Sequence, residues 1–313
     1  MVAVGELADR YVEEMAALDP CAAAEMGVAG HDAELTDYGP DGVASRAALL
    51  RGTLSQLGPA PEATAAEPFE VTVMRERLGA ELALYDAGLR LGEVNVLDGS
   101  LEQLRLVFDL MDTGSEAAWE NLAARLRRLP AALDRHREGI LRAAADGQMA
   151  ASRQVEGSAE QCALWTGSFS ELPAAYGDGP LRQELERGAA RVNQALEGFV
   201  RFLREELAPI APGHHLQLGH MVYRADRLNR YQRLACRVAG QSFLDFEIDR
   251  YLGRPGQAIS YKVGERVWLD VREAARRRRA DGFDLRAFHA MALDMGPMGL
   301  DTLRERLVDG AGG

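Results

Sequence analysis

A chain of 313 residues that is 47% hydrophobic and 27% charged can bury a sizeable core, in one large domain or two ordinary ones. Its formal net charge of -12 argues against a general nucleic-acid binder, whose phosphate contacts call for a basic face, and no run of about 18 apolar residues offers a membrane span. Cys21, Cys162 and Cys236 make neither an even disulfide set nor a C-x-x-C pair and read as buried free thiols. The first residues lack a basic start followed by an apolar stretch, so no signal peptide is expected and the cytoplasm is the expected location.

In chain order, the periodicity is helical almost throughout. Leu7, Tyr11, Met15 and Leu18 recur at steps of three and four, and Asp19-Pro20 stops that stripe. Similar stripes run over roughly 43–57, 67–90, 100–111, 115–144 and 148–167. In the fourth, Trp119, Leu122, Leu126, Leu129 and Leu133 form one apolar face, with Arg125, Arg127, Arg128 and Arg135 largely off it. Ser115 and Glu116 favour a helix start, and Pro130 predicts a kink. From about 180 to 208, Pro180 opens a segment with Leu181, Leu185, Val192, Leu196, Phe199, Val200 and Leu203 inward. A further helix is expected from His214 to Val238, with Leu216, His220, Tyr223, Leu234 and Val238 on its inner side. The single strand candidate is the short Ile259–Val263. The expected fold class is therefore all-α, a bundle of long amphipathic helices. The Arg276–Arg279 run reads as a solvated helix end opposing the dipole, and residues 310–313 as a disordered tail.

The stretch Ala211-Pro-Gly-His-His-Leu-Gln217 sets two adjacent histidines at a helix start, while Ala208-Pro-Ile-Ala211 before it holds neither His nor Glu. It resembles the second half of the H-E-x-x-P-G-H-H motif of a bacterial, zinc-metallopeptidase-like family, domain of unknown function 885. Three other stretches carry the same resemblance: Met15–Pro20 with Gly30–Asp37, Met74–Leu82, and Arg254–Glu265, the last reading P-G-Q-A-I-S-Y-K-V-G-E after its arginine. The resemblance implies a truncated zincin-like helical peptidase fold and a shortened member lacking the His-Glu half of the motif. It implies a division at Ala211–Pro212, between an N-terminal helical region, 1–211, and a compressed C-terminal region, 212–313. A later Glu-bearing helix is also missing near Gly240-Gln241, so one or two of three expected metal ligands remain, where a catalytic zinc normally needs three.

His214 and His215 are the candidate metal ligands. On a helix, positions 214 and 220 are about 240° apart and 215 and 220 about 140° apart, so His220 shares a face with neither. Completing a site falls to distant groups such as Asp226, Asp245 and Glu247. Tyr261 and Lys262 are the candidate catalytic residues: the resemblance implies that they face the cleft, where a hydroxyl or ammonium stabilises an oxyanion. The other reading is a Pro255-Gly256 turn with Tyr261 capping the core and Lys262 in solvent. His31 and His289 read as ordinary surface or packing histidines, and His136, between Arg135 and Arg137, as solvated. No G-x-S-x-G elbow or Gly-rich phosphate loop is present.

Three functions follow. The first is a shortened, catalytically inactive relative acting as a binding or scaffold protein for a peptide or small-molecule ligand, with no cofactor. The alternative is a zinc-dependent hydrolase of peptide or amide bonds using His214 and His215. The second alternative is a deletion product without selected function, whose uncovered apolar faces would drive homo-oligomer formation. No nucleic-acid or membrane partner is expected on any of the three.

Overall fold

A computed structural model of the chain describes residues 4–58, 68–97, 99–213, 257–279 and 282–309. Among them every regular element is helical and no strand occurs, so the all-α expectation holds. The described residues within 9–49 and 84–255 form one compact unit, and those within 1–8, 50–83 and 256–313 form another. The expected helix from His214, the linker around residues 59–67, Cys236 and the tail from 310 lie outside the described residues.

Helix α1, Val4–Leu18, ends at Asp19, and α2, Pro20–Met26, begins there. Asp19 serves both helices: its N–H donates to the Met15 carbonyl at 2.8 Å while its carboxylate accepts from Ala22 N at 3.2 Å. Pro20 has no N–H to satisfy in the first turn. Buried Thr36 donates its hydroxyl to Asp19 Oδ1 at 2.6 Å and accepts from Cys21 N at 3.0 Å, pinning a loop from downstream against the junction. Gly27 ends α2 at φ 73°, and Val28 N closes the turn on the Ala23 carbonyl at 2.8 Å.

Helices α3, Pro40–Gln56, and α4, Phe69–Asp86, follow, then α5, Ser100–Asp109. At the start of α5, Glu102 accepts from Gly99 N at 3.0 Å through Oε2. Its Oε1 is buried without a partner among the described residues. Burial first, and the nearby Glu93 charge last, raise its pKa to about 7.

Helix α6, Glu116–Ala145, starts where its sequence predicts: Ser115 accepts from Ala118 N at 3.2 Å. At 30 residues it is about 45 Å long, and Trp119, Leu122, Leu126, Leu129 and Leu133 are all buried along one side. Its main partner is α9, Arg182–Arg201, continued by a π-helical turn, Phe202–Leu207. Leu185, Val192, Leu196, Phe199 and Leu203 supply the facing stripe. Gly188 lets the helices close up, since a Cβ there would lie 3.1 Å from Leu126 Cβ. Between them in sequence, α7, Ser152–Trp165, packs on α9, and α8, Leu172–Tyr176, leads into it. The α9 start falls at Arg182 rather than Pro180 because Pro180 sits in the preceding turn, where Tyr176 Oη accepts from Leu181 N at 3.3 Å and donates to Glu116 at 2.7 Å.

Cys21 and Cys162 are buried free thiols in this unit, as expected. Burial pushes both upward, Cys162 to about 12 with help from Glu102.

The second unit is built from α10, Gln257–Arg279, α11, Leu285–Asp294, and α12, Leu300–Arg304, with the end of α3 and most of α4. Val271, Ala275, Phe288, Ala292 and Leu307 form its core, with Trp268 against Phe288 at 5.3 Å between ring centroids. Glu76 of α4 caps α12 from outside, accepting from Gly299 N at 3.1 Å and Thr302 Oγ1 at 2.8 Å. Gly299 leaves room for that approach, because a Cβ there would displace the Glu76 carboxylate. Ile259–Val263 lies inside α10; a lone β-branched run with no partner strand is absorbed by the helix around it. Arg276–Arg279 occupy the last turn of α10, as the dipole argument expects.

Candidate functional site

The sequence-predicted metal ligands His214 and His215, with His220, Asp226, Asp245 and Glu247, lie outside the described residues. Among the described residues, no group of three His, Cys, Asp or Glu side chains is placed to hold a metal ion. Tyr261 and Lys262 stand in the first turns of α10. Tyr261 is 68% exposed, and Lys262 forms an ion pair with Glu265 one turn on. His31 sits on a loop, 3.3 Å from Glu34 through Nδ1, and His289 lies beside Trp268 and Phe288 in the second unit.

Two residues of α6 depart from expectation. His136 is fully buried rather than solvated, stacked on Phe199 at 5.7 Å between centroids and edge-on to Tyr38 at 6.1 Å. Burial holds its pKa down at about 4, so the imidazole is neutral at pH 7, and neither ring nitrogen has a partner among the described residues. Arg125 is only 1% exposed. The reason is register: 125 falls between Leu122 and Leu129, and 136 between Leu133 and Ile140, at the same steps of three and four as the apolar stripe.

Arg125 is one of three arginines that hold the loop between α2 and α3. Its Nε donates to the Glu34 carbonyl at 2.9 Å and its Nη2 to the His31 carbonyl at 3.2 Å. From α3, Arg46 Nη1 donates to the Asp37 carbonyl at 2.9 Å and to Leu18 at 3.3 Å. From α6, Arg135 Nη2 reaches Asp37 at 3.2 Å and Asp41 at 2.8 Å. Gly139 makes room for the loop, since a Cβ there would lie 2.7 Å from the Tyr38 carbonyl.

The loop, the turn before α6 and α6 itself line a half-open cavity of about 410 Å³, within the size range of small-molecule sites. Its walls include Ala24, Val28 and Met111, the first turn of α6 at Ser115 and Ala118, and Arg125. With Nε and Nη2 committed to carbonyls, Nη1 of Arg125 has no hydrogen-bond partner among the described residues. Burial lowers the Arg125 pKa, opposed by the charges of Cys21, Asp32 and Glu34, yet a guanidinium stays cationic at neutral pH. The arrangement is a buried cation, in the third turn of α6, lining a concavity that also reaches the start of that helix, and such a cation suits an anionic partner. A second concavity, of about 420 Å³, is lined by Asp37 and Asp41 among others, but both carboxylates are taken by Arg135.

Sequence comparison gives a match to the model of a bacterial protein family of unknown function, DUF885, over residues 20–211 and 238–307. His214 and His215 fall between the two matched segments. Among solved structures, one described as a "putative lipoprotein of unknown function from Shewanella oneidensis" is similar in fold, with a TM-score of 0.51 at 12% identity over 93% of this chain. The chain spans about half the length of that protein, 52%. No curated protein matches.

Proposed function

The chain belongs to the bacterial family DUF885, and we propose that this member is a binding protein rather than a catalyst, taking a small ligand with an anionic group into the cavity beside Arg125. The observation that carries this reading is the state of Arg125: almost fully buried, tied by two of its three nitrogens, and among the residues that line the cavity. Burying an ionised group costs several kcal/mol unless it is paired. Two backbone carbonyls offset part of that cost with partial charges, and an anion on Nη1 would complete it with a charge-assisted bond.

The wall chemistry supports holding rather than transforming. Ser115 is engaged as the α6 cap, and among the described residues no His, Lys or Cys side chain lines the cavity, the groups that most often serve as nucleophile or base. Scaffold action on a larger partner is the same reading with the ligand group presented by a peptide.

The test is thermal-shift screening of the full chain with small carboxylates and inorganic phosphate, on the wild type and on Asn121→Trp, which puts a bulky ring into the cavity one turn before Arg125. Stabilisation in the wild type that disappears in the variant is expected. Equal shifts in both, or none in either, would remove the reading. Zinc analysis of the metal-equilibrated protein and its His214→Ala/His215→Ala variant bears on the hydrolase alternative: near-stoichiometric zinc lost in the variant would favour it.

A further inference from the structure

Resting on that reading of the cavity, we propose that its ligand is a zwitterion, a small molecule carrying one anionic and one cationic group on a short apolar body. Besides Arg125, two ionisable side chains line the cavity, and both are acidic: Asp32, from the loop after α2, and Asp112, from the turn before α6. Both are exposed, whereas the arginine is buried. Asp112 Oδ1 accepts from Gly114 N at 2.9 Å, and its Oδ2 has no partner among the described residues. Asp32 makes no hydrogen bond or ion pair among the described residues, and its charge acts on Arg125 through space.

The charge count selects the ligand class. One arginine and two aspartates give the cavity a formal charge of -1, so a simple anion would reach Arg125 past two like charges. A ligand whose ammonium meets Asp32 or Asp112 turns that repulsion into attraction and adds no net charge. Ala24, Val28, Leu110 and Met111 supply apolar surface for the body between the charged ends. The buried guanidinium supplies most of the affinity. The exposed carboxylates contribute less, because solvent screens them, and act as the selectors.

Isothermal titration of the full chain at pH 7 tests this with L-leucine and leucyl-leucine as zwitterions, N-acetyl-leucine as the anion alone and leucine methyl ester as the cation alone. At least one zwitterion is expected to bind roughly tenfold more tightly than either blocked form, in keeping with loss of one charged pair. The Asp32→Asn/Asp112→Asn variant, altered only at exposed positions, should lose the preference over N-acetyl-leucine while still binding it. N-acetyl-leucine binding as well as the zwitterions would overturn the zwitterion assignment and leave the anion cavity standing. Absence of binding by all four would overturn both.

Discussion

Arg125 donates its Nε–H to the Glu34 carbonyl at 2.9 Å across 91 residues of sequence, so the loop between α2 and α3 is held from the inside by a cation on the central helix. Arg125→Met keeps the volume and removes both donors, leaving the His31 and Glu34 carbonyls without them. The expected loss is about 2–3 kcal/mol in denaturant unfolding, the scale for stranding buried polar groups. An unchanged midpoint would show that the loop is held by Arg46 and Arg135 alone.

His136 makes stability depend on acid. Its folded pKa, about 4, lies below the ordinary 6.5, so between those values the unfolded chain binds more protons than the folded one. Stability from this group is complete above pH 6.5 and is lost as pH falls toward 4. The shift corresponds to about 3 kcal/mol. His136→Leu should flatten the wild-type decline between pH 6.5 and 4, measured by urea midpoints at steps of pH; a variant as acid-sensitive as the wild type in that window would refute the assignment.

Glu102 works in the opposite direction. Its folded pKa is raised to about 7, so the folded chain holds the extra proton and stability falls as pH rises from the ordinary carboxylate range through 7. Glu102→Gln retains an acceptor for Gly99 N and cannot ionise. It should be more stable than the wild type at pH 8, with the gap closing toward pH 5. A gap independent of pH would point to packing instead.

The legible part of the fold was the apolar stripes. The stripes from Trp119 to Leu133 on α6 and from Leu185 to Leu203 on α9 and its π-helical continuation are buried as their spacing predicts, because hydrophobic periodicity is a local property of the chain. The same stripes contained the cavity arginine and the buried histidine in plain register, but charge type outweighed position, and both were read as outward. Position 125 or 136 reveals itself only when a polar residue inside a stripe is treated as an interior group awaiting partners. The partners themselves, carbonyls 91 and 94 residues away, have no local signature. The Glu76 cap on α12, drawn from a helix more than 200 residues earlier in the chain, is equally invisible from spacing.

That cap gives its own expectation. Glu76→Ala withdraws the acceptor from Gly299 N and Thr302 Oγ1 and should cost about 1 kcal/mol, the usual scale for a lost helix cap. Hydrogen exchange is the direct readout, with the Gly299 amide exchanging faster in the variant and amides of the α6–α9 pair unchanged. Unaltered exchange at Gly299 would mean that Glu76 is dispensable for α12.

The two buried thiols amount to an internal stopwatch. Cys21 and Cys162 both lie in the α6–α9 unit, and the segments that make up the second unit contain no cysteine at all. A thiol reagent can modify these sulfurs only when that unit opens, since the reactive thiolate is suppressed while they stay buried. The pace at which the two peptides gain label therefore times the breathing of one half of the molecule, with no engineered probe and no contribution from the other half.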